Sequence, residues 1–96
     1  MPHPPCVGYT IILTSTAAKD LSRLNKADAT VVWNKIKDLT TDKSNLDVKK
    51  LKGVASRYRL RVGHFRVIYT IAKGTITIYV VAIGQRKEIY RRINNF

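Results

Sequence analysis

Two hydrophobic periods run along this chain, and the change from one to the other divides it. Tyr9 to Leu13 is a run of β-formers and predicts a strand. Thr14-Ser15-Thr16 supplies helix caps, and Ala17, Leu21 and Leu24 fall at helical spacing, so a short helix reaches about Leu24. Asn25 ends it and caps the next helix. There Ala29, Val32, Trp33, Ile36 and Leu39 form the clearest stripe in the chain, with Lys35, Lys37 and Asp38 turned away. That stripe predicts one side of a core. Thr40 to Val48 reads as a polar loop. From Arg57 the period becomes two: Arg57 to Val62 alternates basic and apolar residues, and Phe65 to Ala72 and Thr75 to Ile83 are β-branched and aromatic. Gly63-His64 and Lys73-Gly74 are read as two-residue turns, a type II′ turn at Gly63 and a positive φ at Gly74. Lys87 to Phe96 predicts a short last helix with Ile89, Tyr90 and Ile93 on one side. Pro2, Pro4 and Pro5 mark residues 1–8 as a flexible tail, which leaves 9–96 as a single domain. Helices grouped before a run of strands predict an α+β fold, an antiparallel-rich sheet packed by two N-terminal helices.

The first hairpin's register gathers the arginines. A two-residue turn pairs Val62 with Phe65, Arg61 with Arg66, Leu60 with Val67 and Arg59 with Ile68. Tyr58, Leu60, Val62, Phe65, Val67 and Tyr69 then share the core face, and Arg57, Arg59, Arg61 and Arg66 share the other. Two arginines directly opposite repel, by about 1 kcal/mol in bulk water and about 3 kcal/mol at an effective dielectric of 20. A structural sheet gains by placing an acid there, and none occurs between Val48 and Lys87. The arrangement fits either a solubilising edge strand or an anion site in which guanidinium groups grip phosphate oxygens. The second hairpin's register adds Ile68, Tyr79, Val81 and Ile83 to the arginine side, an apolar surface suited to bases or a protein partner.

Composition sharpens the choice. The chain of 96 residues carries 18 Lys and Arg against 6 Asp and Glu, a net charge of +12. Residues 1–48 hold six basic and five acidic side chains; residues 49–96 hold twelve basic side chains and Glu88 alone. The second half is therefore the working surface, and its partner is polyanionic. The longest apolar run, Ile76 to Ile83, falls far short of the ~18 residues that span a bilayer, and no signal peptide is read at the start, so neither membrane insertion nor export is expected. Cys6 is the single cysteine, which excludes an internal disulfide and fits a reducing cytosol. Neither histidine has ligand-spaced neighbours, so no metal site and no cofactor are expected.

Lys50-Leu51-Lys52-Gly53, Tyr58 to Gly63, Phe65 to Tyr69 and Ile83-Gly84-Gln85-Arg86-Lys87-Glu88-Ile89-Tyr90 resemble the RelE/ParE superfamily of toxins across about residues 48–92. The resemblance implies a β-α-α-β-β-β(-α) fold and a toxin of a type II toxin–antitoxin pair. RelE-like members enter the ribosomal A site and cut mRNA through the 2′-OH beside the scissile phosphate. It further implies a metal-independent endoribonuclease with Arg59, Arg61, Arg66, Arg86 and Tyr90 at the catalytic positions. Lys49, Lys50, Lys52, Arg57, His64 and Lys87 would contact RNA. The best-known members carry lysines where Arg59 and Arg61 stand here; arginine keeps its proton, so the base falls to Tyr90, His64 or Lys52. The implied partners are a cognate acidic antitoxin, the ribosome and mRNA, in the cytoplasm. The same fold serves ParE-like toxins that poison DNA gyrase without a nuclease, and an inactive binding module is a third reading.

Overall fold

The computed structural model describes residues 6–41, 45–53 and 56–93. Strand β1 (Thr10–Leu13) leads into helix α1 (Ser15–Ser22), helix α2 (Lys26–Asp38) and then strands β2 (Asp47–Lys50), β3 (Arg57–Val62), β4 (Phe65–Ala72) and β5 (Thr77–Gln85). Helix α3 (Arg86–Ile93) closes the described chain. The five strands form one sheet in the order β1-β5-β4-β3-β2, antiparallel except where β1 runs parallel to β5. The α+β reading holds, with one strand more than the sequence pattern gave.

That strand is β2, which replaces part of the loop expected over Thr40 to Val48. Its sequence, Asp-Val-Lys-Lys, carries one apolar residue, so propensity argues against a strand. The period of two is nonetheless present: Leu46 and Val48 are buried while Asp47 and Lys49 are exposed. Of the tail expected over residues 1–8, residues 1–5 lie outside the described ones. Cys6 packs into the core, and the Gly8 N–H donates to the Thr40 carbonyl at 3.1 Å. Residues 94–96 of the expected last helix also lie outside the described ones.

Helices α1 and α2 both start at the caps that the sequence offers. Thr14 Oγ1 accepts from the Ala17 N–H at 3.2 Å. Asn25 and Asp28 cap α2 reciprocally, the Asp28 N–H donating to Asn25 Oδ1 at 2.8 Å and Asn25 Nδ2 donating to Asp28 Oδ2 at 3.1 Å. Helices α1 and α2 cover one side of the sheet. Val32, Ile36 and Leu39 meet Leu60, Val67, Tyr69, Ile78 and Val80 there, all 0 or 1% exposed. Tyr58 stacks on Tyr69 with centroids 5.6 Å apart.

The first hairpin keeps the expected register, Val62 with Phe65 and Arg61 with Arg66, and Gly63 takes φ +57°. The second does not. A 3-10 turn over Lys73–Thr75 lengthens the connection, Ala72 pairs with Thr77, and Ile76 rather than Gly74 adopts the left-handed conformation. A β-bulge then inserts Val81 between the pairs Tyr69–Val80 and Ile68–Ala82. Tyr79 and Val81 stay on the arginine side as expected. Ile83 moves to the core side, opposite Val67, because the extra residue inverts the alternation after Val80. Ile68 is not exposed apolar surface either: it is 0% exposed, buried with Ala82 beneath Ile89 of α3.

Candidate functional site

The side of the sheet away from α1 and α2 is built in rows. Pairing across β2, β3 and β4 sets Asp47, Arg61 and Arg66 side by side, then Lys49, Arg59 and Ile68 in the next row, and Arg57 and Thr70 in a third. Helix α3 lies over the β4–β5 end of these rows. It approaches so closely because residue 84 is glycine: a Cβ there would stand 2.7 Å from Glu88 Oε1 and 3.2 Å from the Ile89 side chain.

Arg59, Arg66 and Tyr90 converge under that helix. Arg66 is 6% exposed, and its Nη1 donates to the carbonyls of Gly63 at 3.0 Å and Phe65 at 3.1 Å, which fixes the guanidinium against the turn. Arg59 Nη2 donates to Asp47 Oδ1 at 2.8 Å. The Nε atoms of both arginines are buried without a hydrogen-bond partner. The Tyr90 phenol sits within hydrogen-bonding reach of both guanidinium groups. Burial pushes its pKa up, but the bonds and the positive charge of Arg66 and Arg59 outweigh it and bring the pKa below the ordinary tyrosine value.

Arg61 and Arg86 stand at the rim. Arg61 is largely exposed, 3.8 Å from Asp47 Oδ2. Arg86 opens α3, its backbone N–H donating to the His64 carbonyl at 3.2 Å. Arg61, His64, Arg66, Arg86, Lys87 and Arg91 line a groove of about 880 Å³ that also meets Asp28 and Glu88. The expected contact residues divide accordingly. His64 and Lys87 are in the groove, and Lys49 lies beside Arg59. Arg57 is half-buried one row further away. Lys50 pairs with Tyr58 and so belongs to the opposite side of β2, and Lys52 is exposed in the turn after it; the cluster takes in neither.

Two acids were not foreseen. Asp47 came with the unread strand β2, and it supplies the counter-charge that the sequence lacks between Val48 and Lys87. The buried Asp20 of α1 pairs with Arg92 of α3 at 3.0 Å. An aspartate on the helix side of Leu21 was the available signal, but its partner is 72 residues away.

The family described as the ParE toxin of type II toxin–antitoxin system, parDE, matches residues 11–90. Toxin RelG of Mycobacterium tuberculosis is 29% identical over 85 residues, which cover 88% of this chain and 98% of that protein. Putative toxin RelE1 of Methanocaldococcus jannaschii is 29% identical over 86 residues, 86% of this chain and 96% of that one. Among solved structures, the RelB–RelE antitoxin–toxin complex from Methanococcus jannaschii aligns with a TM-score of 0.69 at 27% identity, covering 84% of this chain and 96% of that one. The RelBE2 toxin–antitoxin complex from Mycobacterium tuberculosis aligns at 0.71 and 27%, covering 83% and 100%. The matched span runs from β1 to Tyr90 and takes in the whole arginine cluster: the chain belongs to the ParE toxin family of type II toxin–antitoxin systems, within the RelE/ParE superfamily and on its RelE-like side.

Proposed function

We propose that this toxin is a ribosome-dependent endoribonuclease that cuts mRNA in the A site by attack of a 2′-OH on the adjacent phosphodiester. The observation that carries this reading is the convergence of Arg59 and Arg66 on Tyr90, whose proton they loosen. In the step, the Tyr90 phenolate takes the 2′-OH proton and the 2′-oxygen forms the new bond to phosphorus. The bond from phosphorus to the 5′-oxygen breaks, leaving a cyclic phosphate, and the departing 5′-oxygen takes a proton from water. Arg66 and Arg61 offset the charge that grows on the phosphoryl oxygens, Arg86 steadies the leaving side, and Arg59 orients the neighbouring phosphate. Tyr90 fills the role of base better than His64, which sits exposed in the turn.

Primer extension on translating ribosomes tests this. We expect cleavage within the A-site codon, lowered roughly a hundredfold in Arg66→Ala and Arg86→Ala. Binding led by about five phosphates gives a log–log salt slope of roughly −4; a flat titration rejects it. The matched family carries the ParE name, and the second reading is the gyrase poisoning that the resemblance to ParE-like toxins implies. Absent cleavage together with gyrase-dependent DNA breaks would replace the nuclease by that activity.

The partner we propose is an acidic antitoxin that neutralises the arginine side, because the second half of the chain carries a net +11. The solved M. jannaschii and M. tuberculosis complexes, each a toxin with its antitoxin, support it. No described helix is long and apolar enough to cross a membrane, and we place the toxin's action in the cytoplasm.

A further inference from the structure

We infer that Asp20 and Arg92 form a clamp between α1 and α3 that holds Tyr90 in position over the arginine cluster, so that Asp20, on the far side of the sheet edge, is a positioning residue for the site.

The argument begins at the edge of β5. Strand β1 pairs with β5 only as far as Val80, so the polar groups of β5 beyond that point need other partners. Thr14 covers the first of them, its N–H donating to the Val80 carbonyl at 3.0 Å and its Oγ1 to the Val81 carbonyl at 3.3 Å. Asp20 Oδ2 then accepts the Ile83 N–H at 2.9 Å. A neutral acceptor would satisfy that N–H. A carboxylate that is 8% exposed is costly there unless a cation meets it, and Arg92 Nη2 does so at 3.0 Å from the same oxygen. Arg92 Nη1 reaches Glu88 Oε1 at 3.3 Å, so the clamp also holds the preceding turn of α3.

Helix α3 depends on such an attachment. At eight residues it is too short to persist alone. Ile89, 0% exposed in its pocket of Ile68 and Ala82, and the Arg86 N–H on the His64 carbonyl hold one side and the first turn of the helix. Tyr90 lies one residue step, about 100°, around from Ile89. Arg92, three residues beyond Ile89, ties the last turn to α1 and so resists rotation of the C-terminal half of the helix, where Tyr90 stands. A turn of a fraction of one step carries the phenol away from Arg59 and Arg66.

The clamp stands on geometry alone; its importance for catalysis rests on the nuclease reading. The two are separated by following Tyr90 by NMR in the full chain with isotope-labelled tyrosine, beside α3 amide exchange. Asp20→Asn keeps an oxygen for Ile83 and removes the charge; Arg92→Met removes the partner at a side chain 26% exposed and strands the Asp20 charge, so it is read under conditions where the sheet amides show it folded. In both we expect the Tyr90 phenol to titrate at higher pH and α3 amides to exchange roughly tenfold faster or more, with the sheet unchanged. Arg92→Lys restores most of both. Where the parent cleaves mRNA, kcat falls and KM holds. A Tyr90 titration unchanged in folded Arg92→Met overturns the clamp, even if α3 loosens. A Tyr90 titration that moves in a parent without cleavage keeps the clamp and removes the nuclease.

Discussion

Two tyrosines on opposite sides of one sheet show what each side is for. Tyr69 of β4 lies among the helices, 0% exposed, with its hydroxyl buried and without a hydrogen-bond partner. Burial pushes its pKa far up, with smaller contributions from Cys6 and Tyr58. Tyr90 of α3 lies against the arginines, and there burial is outweighed by Arg66 and Arg59, which bring the pKa down. The side chains differ little; their neighbours differ completely. Alternation along β3 and β4 makes this possible, since Leu60 and Val67 point one way while Arg59, Arg61 and Arg66 point the other. One side spends its contacts on stability, and the other gathers like charge that stability alone would disfavour.

Substitutions chosen in pairs sharpen that contrast. The largest effect is expected in the core: Leu60→Ala should lower unfolding free energy by about 2–5 kcal/mol in urea titrations, whereas Arg61→Ala next to it should change it by less than about 0.5 kcal/mol. Similar losses from both would dissolve the distinction between the sides. Gly84→Ala comes next. Glu88 can swing aside, but Ile89 at 3.2 Å must shift, so α3 should lift at a cost of about 1–3 kcal/mol confined to that helix. Slowed cleavage with an intact near-ultraviolet spectrum of the core would show it.

The pH responses should run in opposite directions. Because Tyr69 is raised in the folded state, its contribution to stability is complete below the ordinary tyrosine value near 10 and is lost as pH climbs above it. Tyr69→Phe should flatten that alkaline loss in melts at stepped pH. Tyr90 is lowered, so its deprotonated form gathers below pH 10, and cleavage should rise with pH and level off there. Tyr90→Phe should abolish the rise. The smallest effect concerns Asp47, which pairs with Arg59 at 2.8 Å and stands 3.8 Å from Arg61, with half of its own surface exposed. Asp47→Asn should free both arginines and tighten binding of single-stranded RNA severalfold in low salt, the scale of an exposed ion pair.

The parts of this molecule that follow from local rules were legible in the sequence. Caps at Thr14 and Asn25, the stripe of α2 and the turn at Gly63 each depend on neighbours within a few residues, and that turn alone set the arginines opposite one another. What escaped depends on distant partners. Strand β2 exists because β3 offers a free edge, not because Asp-Val-Lys-Lys prefers to extend. The bulge at Val81 leaves no mark in a run of β-branched residues, so simple alternation carries Ile83 to the arginine side, whereas the fold has it in the core. The pairing of Asp20 with Arg92 joins opposite ends of the chain, and only the fold brings them together.

That single inserted residue also sets how the chain tolerates changes of length. Drawing Val81 into the ladder opposite Ile68, with no residue lost, would return β5 to simple alternation, turn Ile83 outward against α3 and send Gly84 toward the core, whereas deleting Val81 would leave Ala82 opposite Ile68 and Ile83 opposite Val67. A loop such as the one after α2 can gain or lose a residue at little cost. In the middle of β5 the bulge is what matters: whether Val81 is squeezed out of the ladder or paired within it decides which way the C-terminal helix faces.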